Sequence, residues 1–338
     1  MTKYKDSKEK GGRLERAKML MINELFSASG ITQKRTPLFD CKKSLFSSSH
    51  SVLAEGVDFD LTYTPIKYLG YKSVLSVIGP LYAEGFSPYS LSVKFALSSR
   101  FSLPQIEELW SGVTAAFKEH EMEHLELDLT PSVTGLIISL TSQGKQERER
   151  FVQKPPCKSS DLLCITGSLG AAYIGLHVLE REKALFEKES IQPNLNRYKP
   201  LLQAYLNPHI DKELISSLYL SELHPSAGEF IVNGLADAIK KVCYRYSLGA
   251  KIFMNKIPIS SQISEPAKEI NIDPVTAALN GGDDYKFLFA IPIDKHELLK
   301  SEIPQIDIIG HLCSADAGAY LITPDGAQFP LKAQAWDK

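Results

Sequence analysis

Two glycine-containing segments in the second half of the chain combine backbone freedom with groups that could bind a ligand. The first, Gly167-Ser-Leu-Gly170, lies between a predicted strand and a predicted helix, where backbone N–H groups can bind a phosphate. It matches neither the G-x-G-x-x-G dinucleotide motif nor a P-loop, which ends in Gly-Lys-Ser/Thr. A tight strand-to-helix turn without a ligand explains the same residues, and the pattern alone favours that simpler interpretation.

The second segment, Gly281-Gly-Asp-Asp-Tyr285, places two carboxylates directly after two glycines. Glycine tolerates positive φ, so the chain can turn here before Asp283 and Asp284 enter a predicted strand. Successive strand residues face opposite sides, so only one of these carboxylates can point into a given cleft. From these residues alone, a polar turn and a ligand site remain equal alternatives.

Histidine, serine and cysteine give weaker signals. His120 and His124 are four residues apart and could share a helix face, but no third metal ligand is near in sequence, which favours solvated side chains. The serines around His50 lack the G-x-S-x-G elbow of a serine hydrolase. The five cysteines contain no C-x-x-C pair, which argues against a zinc site or a disulfide framework and predicts a reducing, cytoplasmic location.

Strand and helix patterns alternate around these segments. A helix is predicted to begin after Ser102, between strand-like runs at 91–97 and 136–140. A strand at 162–165 precedes the first glycine segment, and a helix follows it to about residue 188. Further predictions are an irregular stretch at 194–208, helices over 231–246 and from Asp273, and a strand at 286–293. This mixed order favours an α+β or α/β chain.

Composition excludes several classes of protein. The 338 residues predict two domains at about 150 residues each. Lys and Arg total 38 against 40 Asp and Glu, and this net charge of −2 argues against a nucleic-acid partner. No apolar run approaches the roughly 20 residues that cross a bilayer, so no membrane partner is expected. Residues 1–23, rich in Lys and Glu, are predicted to form a flexible arm.

Four segments, occurring in order along the chain, together resemble one family. They are Glu55-Gly-Val-Asp-Phe-Asp-Leu-Thr-Tyr-Thr-Pro65, Leu163-Cys-Ile-Thr-Gly-Ser-Leu-Gly170, Ala278-Leu-Asn-Gly-Gly-Asp-Asp-Tyr285 and the ending Ala333-Gln-Ala-Trp336. The chain resembles thiamine-monophosphate kinase, of the aminoimidazole-ribonucleotide-synthetase-like superfamily, from about Glu24 to Trp336. The resemblance implies an α+β fold of two domains: a nucleotide-binding and dimerising domain at 24–154, and an α/β domain at 155–338.

The reaction implied by the resemblance transfers the γ-phosphoryl group of ATP to thiamine monophosphate. It requires Mg²⁺, because the triphosphate and the acceptor phosphate repel each other. The implied metal ligands, residual and weak, are Asp40 and Asp128. The implied nucleotide contacts are Asp128, Lys154, Gly167 and Gly170. The implied substrate contacts are Asp58, Asp283 and Trp336.

The chain departs from the family pattern where the chemistry is performed. Four positions that hold aspartates in the family carry Ser51, Pro80, Phe230 and Asn233. Asp58 replaces a histidine of the family and Asp283 replaces a glutamate. Lys154 replaces an arginine, and a lysine cannot bind a phosphate group through two parallel hydrogen bonds as an arginine does. No residue is therefore predicted to be catalytic in a family-like reaction.

Three functions fit this pattern. The leading interpretation is a catalytically inactive or very weak paralogue, retained as a binding or regulatory protein and forming a homodimer. The second is an active ATP-dependent kinase in which Asp40, Asp128, Asp283 and Asp284 hold fewer metal ions. The third is a superfamily member that binds a different phosphorylated or purine-like small molecule.

Overall fold

In this computed structural model of the protein, residues 18–32, 41–150, 153–190, 192–334 and 336 are described. They form two compact units: residues up to 77 together with 88–145, and residues 78–87 together with 146–338. The chain passes from one unit to the other after residues 77, 87 and 145. The predicted division at residues 154 and 155 stays a prediction.

The first unit contains one sheet and three helices among the described residues. In chain order these are α1 (18–29), β1 (Ser44–Ala54), α2 (Ile66–Ala83, of which residues up to 77 belong here), β2 (Ser87–Leu97), α3 (Leu103–Glu119), β3 (His124–Pro131) and β4 (Ile137–Glu147). The sheet order is β1-β4-β2-β3, with β2 and β3 parallel. Ser102 begins α3 with a capping box, in which the Gln105 side chain accepts a hydrogen bond from the Ser102 backbone N–H.

The core of the first unit forms around Trp110. Its indole ring contacts Phe26 of α1 and Phe95 of β2, at ring-centroid distances of 5.1 and 6.5 Å. The indole N–H donates to the carbonyl of Leu25 at 3.0 Å, so this buried polar group is satisfied. One side chain therefore joins a helix, a strand and a second helix.

Helices α2 and α3 cross closely enough that glycine is required on both. A Cβ added to Gly70 would overlap the carbonyl oxygen of Leu109, and one added to Gly112 would overlap that of Lys67. Both obstacles are backbone atoms, which cannot rotate out of the way.

We predict that Gly112→Ala destabilises the protein by about 1–3 kcal/mol, despite the better helix propensity of alanine. The free energy of unfolding from urea titration measures this effect. Ser111→Ala, on the same helix turn, is the control, because its hydroxyl bonds only to the Glu108 carbonyl within the helix. Equal stability of the two variants would contradict the close crossing.

The second unit is built on a seven-stranded sheet of order β11-β10-β7-β9-β5-β8-β6. Its strands are β5 (Leu162–Thr166), β6 (Ala227–Ile231), β7 (Leu248–Phe253), β8 (Lys286–Ile291), β9 (Ile306–Ser314), β10 (Ala319–Ile322) and β11 (Gln328–Pro330). Its helices are α4 (Ala171–Glu189), α5 (Lys199–Leu206), α6 (Lys212–Leu220), α7 (Leu235–Tyr246), α8 (Ser264–Glu269), α9 (Pro274–Asn280) and α10 (His296–Glu302). Strand β5 is antiparallel to both of its neighbours.

Two buried clusters hold this unit together. The larger one joins alternate residues of the central strands, such as Leu163 and Leu288, to Ile239 of α7. The smaller one packs Ile174 of α4 against Leu201 of α5. None of the helices described is long and apolar enough to cross a membrane.

Two sequence predictions of local structure are wrong, and one possibility that the sequence left open is excluded. Residues 194–208 are not irregular, because Pro200 lies in the first turn of α5, where a proline is tolerated. Ile231 ends β6, and the positive φ of 91° at Gly234 separates that strand from α7. His120 follows the end of α3 and His124 begins β3, so the two histidines do not share a helix face.

Candidate functional site

The first glycine segment forms the turn between β5 and α4. Gly167 and Gly170 have φ values of 87° and 85°, which explains glycine at both positions. The Gly170 N–H points at the carboxylate of Asp284, with distances of 2.9 and 3.0 Å to its two oxygens. The N–H group that could have bound a phosphate therefore already has an anionic partner within the protein.

Asp284 is buried at the N-terminus of the 19-residue helix α4. Burial raises the pKa of its carboxyl group from 3.8 to about 7, although hydrogen bonds from the Gly170 and Ala172 N–H groups and the nearby Lys286 oppose the shift. An anion is favoured at this end of a helix because of the unpaired N–H groups and the helix dipole. Of the two carboxylates in the second glycine segment, this one faces inward and holds the first segment in place.

The other carboxylate belongs to a strained turn. Asp283 has a φ of 60°, unusual for a residue other than glycine, and its N–H donates to the Val232 carbonyl at 2.6 Å. The N–H of Tyr285 donates to the Ile231 carbonyl at 3.1 Å. The turn is thus tied to the connection between β6 and α7, and the Asp283 side chain is half-exposed there.

A cavity of about 300 Å³ lies beside the first glycine segment. Gly167, His209, Asp211 and Lys286 are among its lining residues. Burial lowers the pKa of Lys286, and the carboxylates of Asp284 and Asp211 oppose that shift. The cavity offers an ammonium group and an imidazole to a small anion.

Phe230, at a position where the resemblance implies an aspartate, lies in an apolar contact. Phe230 is 4% exposed, and its ring lies 5.4 Å from that of Tyr285 and 5.0 Å from that of Phe287. Its ring also faces the Cα of Gly79 in α2 so closely that any Cβ there would overlap it. The neighbouring Pro80 lies within the same helix. The side chains of Pro80 and Phe230 offer no oxygen ligand to a metal ion.

In the first unit, Asp128 is paired with a cation. Its carboxylate lies 2.5 Å from the Nζ of Lys18 in α1. The hydrogen bond from Lys18 is the main cause that lowers the pKa of Asp128. At another of the four lost positions, the Ser51 hydroxyl lies 2.8 Å from that of Ser76. Asp40 lies outside the described residues.

The predicted substrate residue Asp58 has a local structural contact. Its carboxylate accepts a hydrogen bond from the Ala54 N–H at 2.7 Å, closing the turn after β1. Its side chain is otherwise exposed.

Lys154 and Trp336 both contact aromatic rings of the second unit. The Lys154 ammonium lies 5.9 Å from the centre of the Tyr219 ring, and burial lowers its pKa against the attraction of Glu84. Trp336 donates its indole N–H to Asp237 at 2.8 Å, and its ring lies 5.9 Å from that of Tyr244. Both Trp336 and Tyr244 are exposed, by 39% and 79%, and so form an open aromatic pair.

No set of three histidine, cysteine, aspartate or glutamate side chains suitable for a metal ion occurs in the part of the chain that the structure describes.

No family model matches the chain, but individual proteins do. The thiamine-monophosphate kinase of Aquifex aeolicus (strain VF5) is 25% identical over 276 residues, which cover 81% of this chain and 85% of the relative. That of Buchnera aphidicola subsp. Schizaphis graminum (strain Sg) is 29% identical over 289 residues, which cover 83% of each. The chain is thus similar to thiamine-monophosphate kinases over about four fifths of its length.

Solved structures agree on the fold. The thiamine-monophosphate kinase of Stenotrophomonas maltophilia K279a has a TM-score of 0.70 at 22% identity, covering 86% of this chain and 87% of that one. A structure of AaThiL complexed with AMPPCP and TMP has a TM-score of 0.70 at 23% identity, covering 91% and 93%. The predicted family and the predicted α+β, aminoimidazole-ribonucleotide-synthetase-like fold are confirmed.

Sequence reasoning about this family member missed several contacts of the site. Lys18 gave no signal as the partner of Asp128, because a single lysine at the start of a helix is unremarkable. The sequence likewise did not indicate that Tyr244 is the neighbour of Trp336. The structural role of Asp284 could have been predicted, because a polar turn was one of the two alternatives for its segment.

We predict that Asp284 makes stability fall as the pH rises from about 4 to 7. Its folded-state pKa lies above the ordinary 3.8, so the folded protein binds more protons than the unfolded chain in that interval. An asparagine side chain at this position would resemble the neutral acid at every pH. The Asp284→Asn variant should therefore gain melting temperature relative to wild type between pH 5 and pH 8.

The matched control is Asp273→Asn, which changes an exposed capping carboxylate at the start of α9. It should keep the wild-type dependence of melting temperature on pH. A constant difference between wild type and Asp284→Asn across this range would show that Asp284 does not titrate there.

Proposed function

We propose that this protein keeps the fold of the thiamine-monophosphate kinases but does not transfer phosphate at a useful rate, and acts instead as a binding or regulatory protein. The observation that carries the proposal is the contact between Phe230 and Gly79. At 230, where the family pattern implies an aspartate, this chain has a buried aromatic ring packed on α2 beside Pro80, which replaces a second implied aspartate.

The lost charges bear directly on the reaction of the family. Phosphoryl transfer depends on metal ions and positioned cations that neutralise the phosphate groups, with little covalent help from the protein. Removal of one such preorganised group commonly costs about 10²–10³ in rate. The Phe230 side chain would exclude a hydrated cation from its surroundings. Lys18 would compete with a metal ion for the carboxylate of Asp128. The described residues do not fit a cluster of magnesium ions.

Ligand binding remains part of the proposal. AaThiL has been solved with AMPPCP and TMP, which supports a phosphorylated small molecule as the class of ligand. Trp336 and Tyr244 present open aromatic faces on which a cationic ring such as thiazolium could stack. Asp283 of the second unit is also proposed to contact this ligand, and Asp58 of the first unit stays a proposed ligand contact, as the family pattern implies.

For the phosphate groups of a nucleotide, we propose contacts from Gly167, Lys154 and the cavity that Lys286 lines. Gly170 is restricted to a role through its backbone shape, because its N–H already donates to Asp284. The five cysteines, all among the described residues, form no disulfide bond, which supports a reducing compartment such as the cytoplasm.

A coupled ADP-release assay with ATP, thiamine monophosphate and millimolar Mg²⁺ tests the lack of turnover. We expect background rates for the wild type, and the relative from Aquifex aeolicus serves as the positive control. The variant Phe230→Asp should be equally inactive, because restoring one aspartate does not replace the other missing metal-binding carboxylates. Phe230→Leu controls for lost packing, and a circular dichroism spectrum checks that each variant is folded.

Wild-type turnover that depends on thiamine monophosphate at about 1 s⁻¹, the low end of ordinary enzymes, would overturn the inactive interpretation. It would favour the alternative, an active kinase with a rearranged metal site. Calorimetric titration with thiamine, thiamine monophosphate and ATP, with and without Mg²⁺, measures the proposed binding separately from turnover.

We also propose a homodimer, which the buried strand runs of the first unit do not by themselves explain. The apolar residues of the strand runs at 91–97 and 136–140, such as Val93, Phe95 and Ile138, are buried within the first unit itself. Support comes instead from β1, an edge strand of 11 residues on which Val52 is 63% exposed. Such an edge has unpaired backbone groups that a second copy can bind.

The expected mass from light scattering at micromolar concentration is twice the 37.5 kDa of one chain. Val52→Lys places a charge on the exposed edge and should shift the equilibrium towards the monomer. A wild-type mass equal to one chain would rule out the dimer.

A further inference from the structure

A second and larger cavity lies in the C-terminal unit, on residues that the proposed function does not use. Its volume is about 620 Å³, within the range of about 300–1,000 Å³ typical of small-molecule sites. It opens where β5 and β9 meet the short helix α10 and the turn that follows β7. Its apolar lining includes Leu162, Phe253, Ile306 and Ile308.

A β-bulge in β9 shapes this cavity. Gly310 pairs with Leu163 and Ile308 pairs with Cys164, so Ile309 is an extra residue between two consecutive partners. In a regular strand, residues 309 and 311 would share a face. Ile309 points into the buried core with α7, whereas His311 lines the cavity. The bulge thus brings an imidazole to the cavity without removing a core side chain.

The charged groups of the cavity are mostly cationic. Lys256 and Lys300 line it, and neither forms an ion pair with another described residue. Asp307 is the one carboxylate among its lining residues. The two lysines reach the cavity from separate elements, the turn after β7 and the helix α10. Their positive charges are therefore available to a ligand that enters between them.

Two histidines add polar groups to the same rim. The Nδ1 of His311 lies 3.0 Å from the carbonyl oxygen of Leu312, an obligatory acceptor, so Nδ1 carries the proton and Nε2 is left for another partner. The Nδ1 of His296 lies 2.9 Å from the exposed Glu297 carboxylate. The ring of Phe253 lies 6.2 Å from that of His311, which makes an aromatic wall.

We propose that this cavity binds a small aromatic anion, a planar apolar ring that carries one phosphate or carboxylate group. The ring would lie on the aliphatic lining against Phe253, and the anionic group would lie between Lys256 and Lys300. Apolar contact supplies affinity, while the two cations supply orientation and discrimination against neutral ligands. The assignment is independent of any phosphoryl transfer by the protein.

Phenyl phosphate, benzoate and the neutral benzyl alcohol are the probes, titrated into the full-length protein by calorimetry. At least one anion should bind tenfold or more tightly than benzyl alcohol. Binding of phenyl phosphate alone would identify a phosphate ligand, and binding of benzoate alone a carboxylate ligand. Added salt should weaken either interaction.

The double variant Lys256→Gln/Lys300→Gln should weaken anion binding at least tenfold and leave benzyl alcohol unchanged. The control Lys188→Gln/Lys268→Gln removes the same charge from exposed positions in α4 and α8 and should bind as the wild type does. Failure of both anions to bind, or equal binding by the wild type and the Lys256/Lys300 variant, would overturn the assignment. The second result would place the anion elsewhere, including the glycine-segment cavity.

Discussion

The buried carboxylate of Asp284 is the contact on which the C-terminal unit depends. It joins the start of β8 to the start of α4, because its oxygens accept the N–H of Gly170 at 2.9 and 3.0 Å. Strands β5 and β8 are already neighbours in the sheet. This hydrogen bond also holds the turn that follows β5 against the turn that precedes β8. Burial of the ionised group has a cost, reflected in its pKa of about 7, and the N–H groups at the helix N-terminus partly offset it.

Under the proposed function, the different roles of these carboxylates explain how the fold can persist without the family's chemistry. A capping carboxylate such as Asp284 stabilises the native backbone whether or not a ligand is bound. A carboxylate that binds a metal ion contributes to stability only when the ion is present, since several acidic groups held together repel one another. Loss of metal-binding carboxylates therefore leaves the turns and the sheet intact, as the glycines at 167, 170, 281 and 282 indicate.

Sequence reasoning succeeded where the signal was local and failed where it depended on tertiary contacts. The strand, glycine turn and helix around Gly167 were predictable, because glycine and apolar periodicity act over a few residues. Which of Asp283 and Asp284 is buried depends on the pairing of β8 with β5, which a single sequence does not reveal. The contact of Phe230 with Gly79 joins positions far apart in the chain. From the sequence, phenylalanine at 230 therefore indicated only that a charge was lost, and not which residues pack against the ring.

The packing around Phe230 gives the altered corner a physical rationale of its own. Its ring contacts two further aromatic rings, each such pair contributing about 0.5–1.5 kcal/mol beyond the area it buries. An ionised aspartate in the same position would lie against the same rings without a cation and would be strongly destabilising. Apolar packing and metal binding are thus opposed at this one position, which is the physical basis of the proposed lack of phosphoryl transfer.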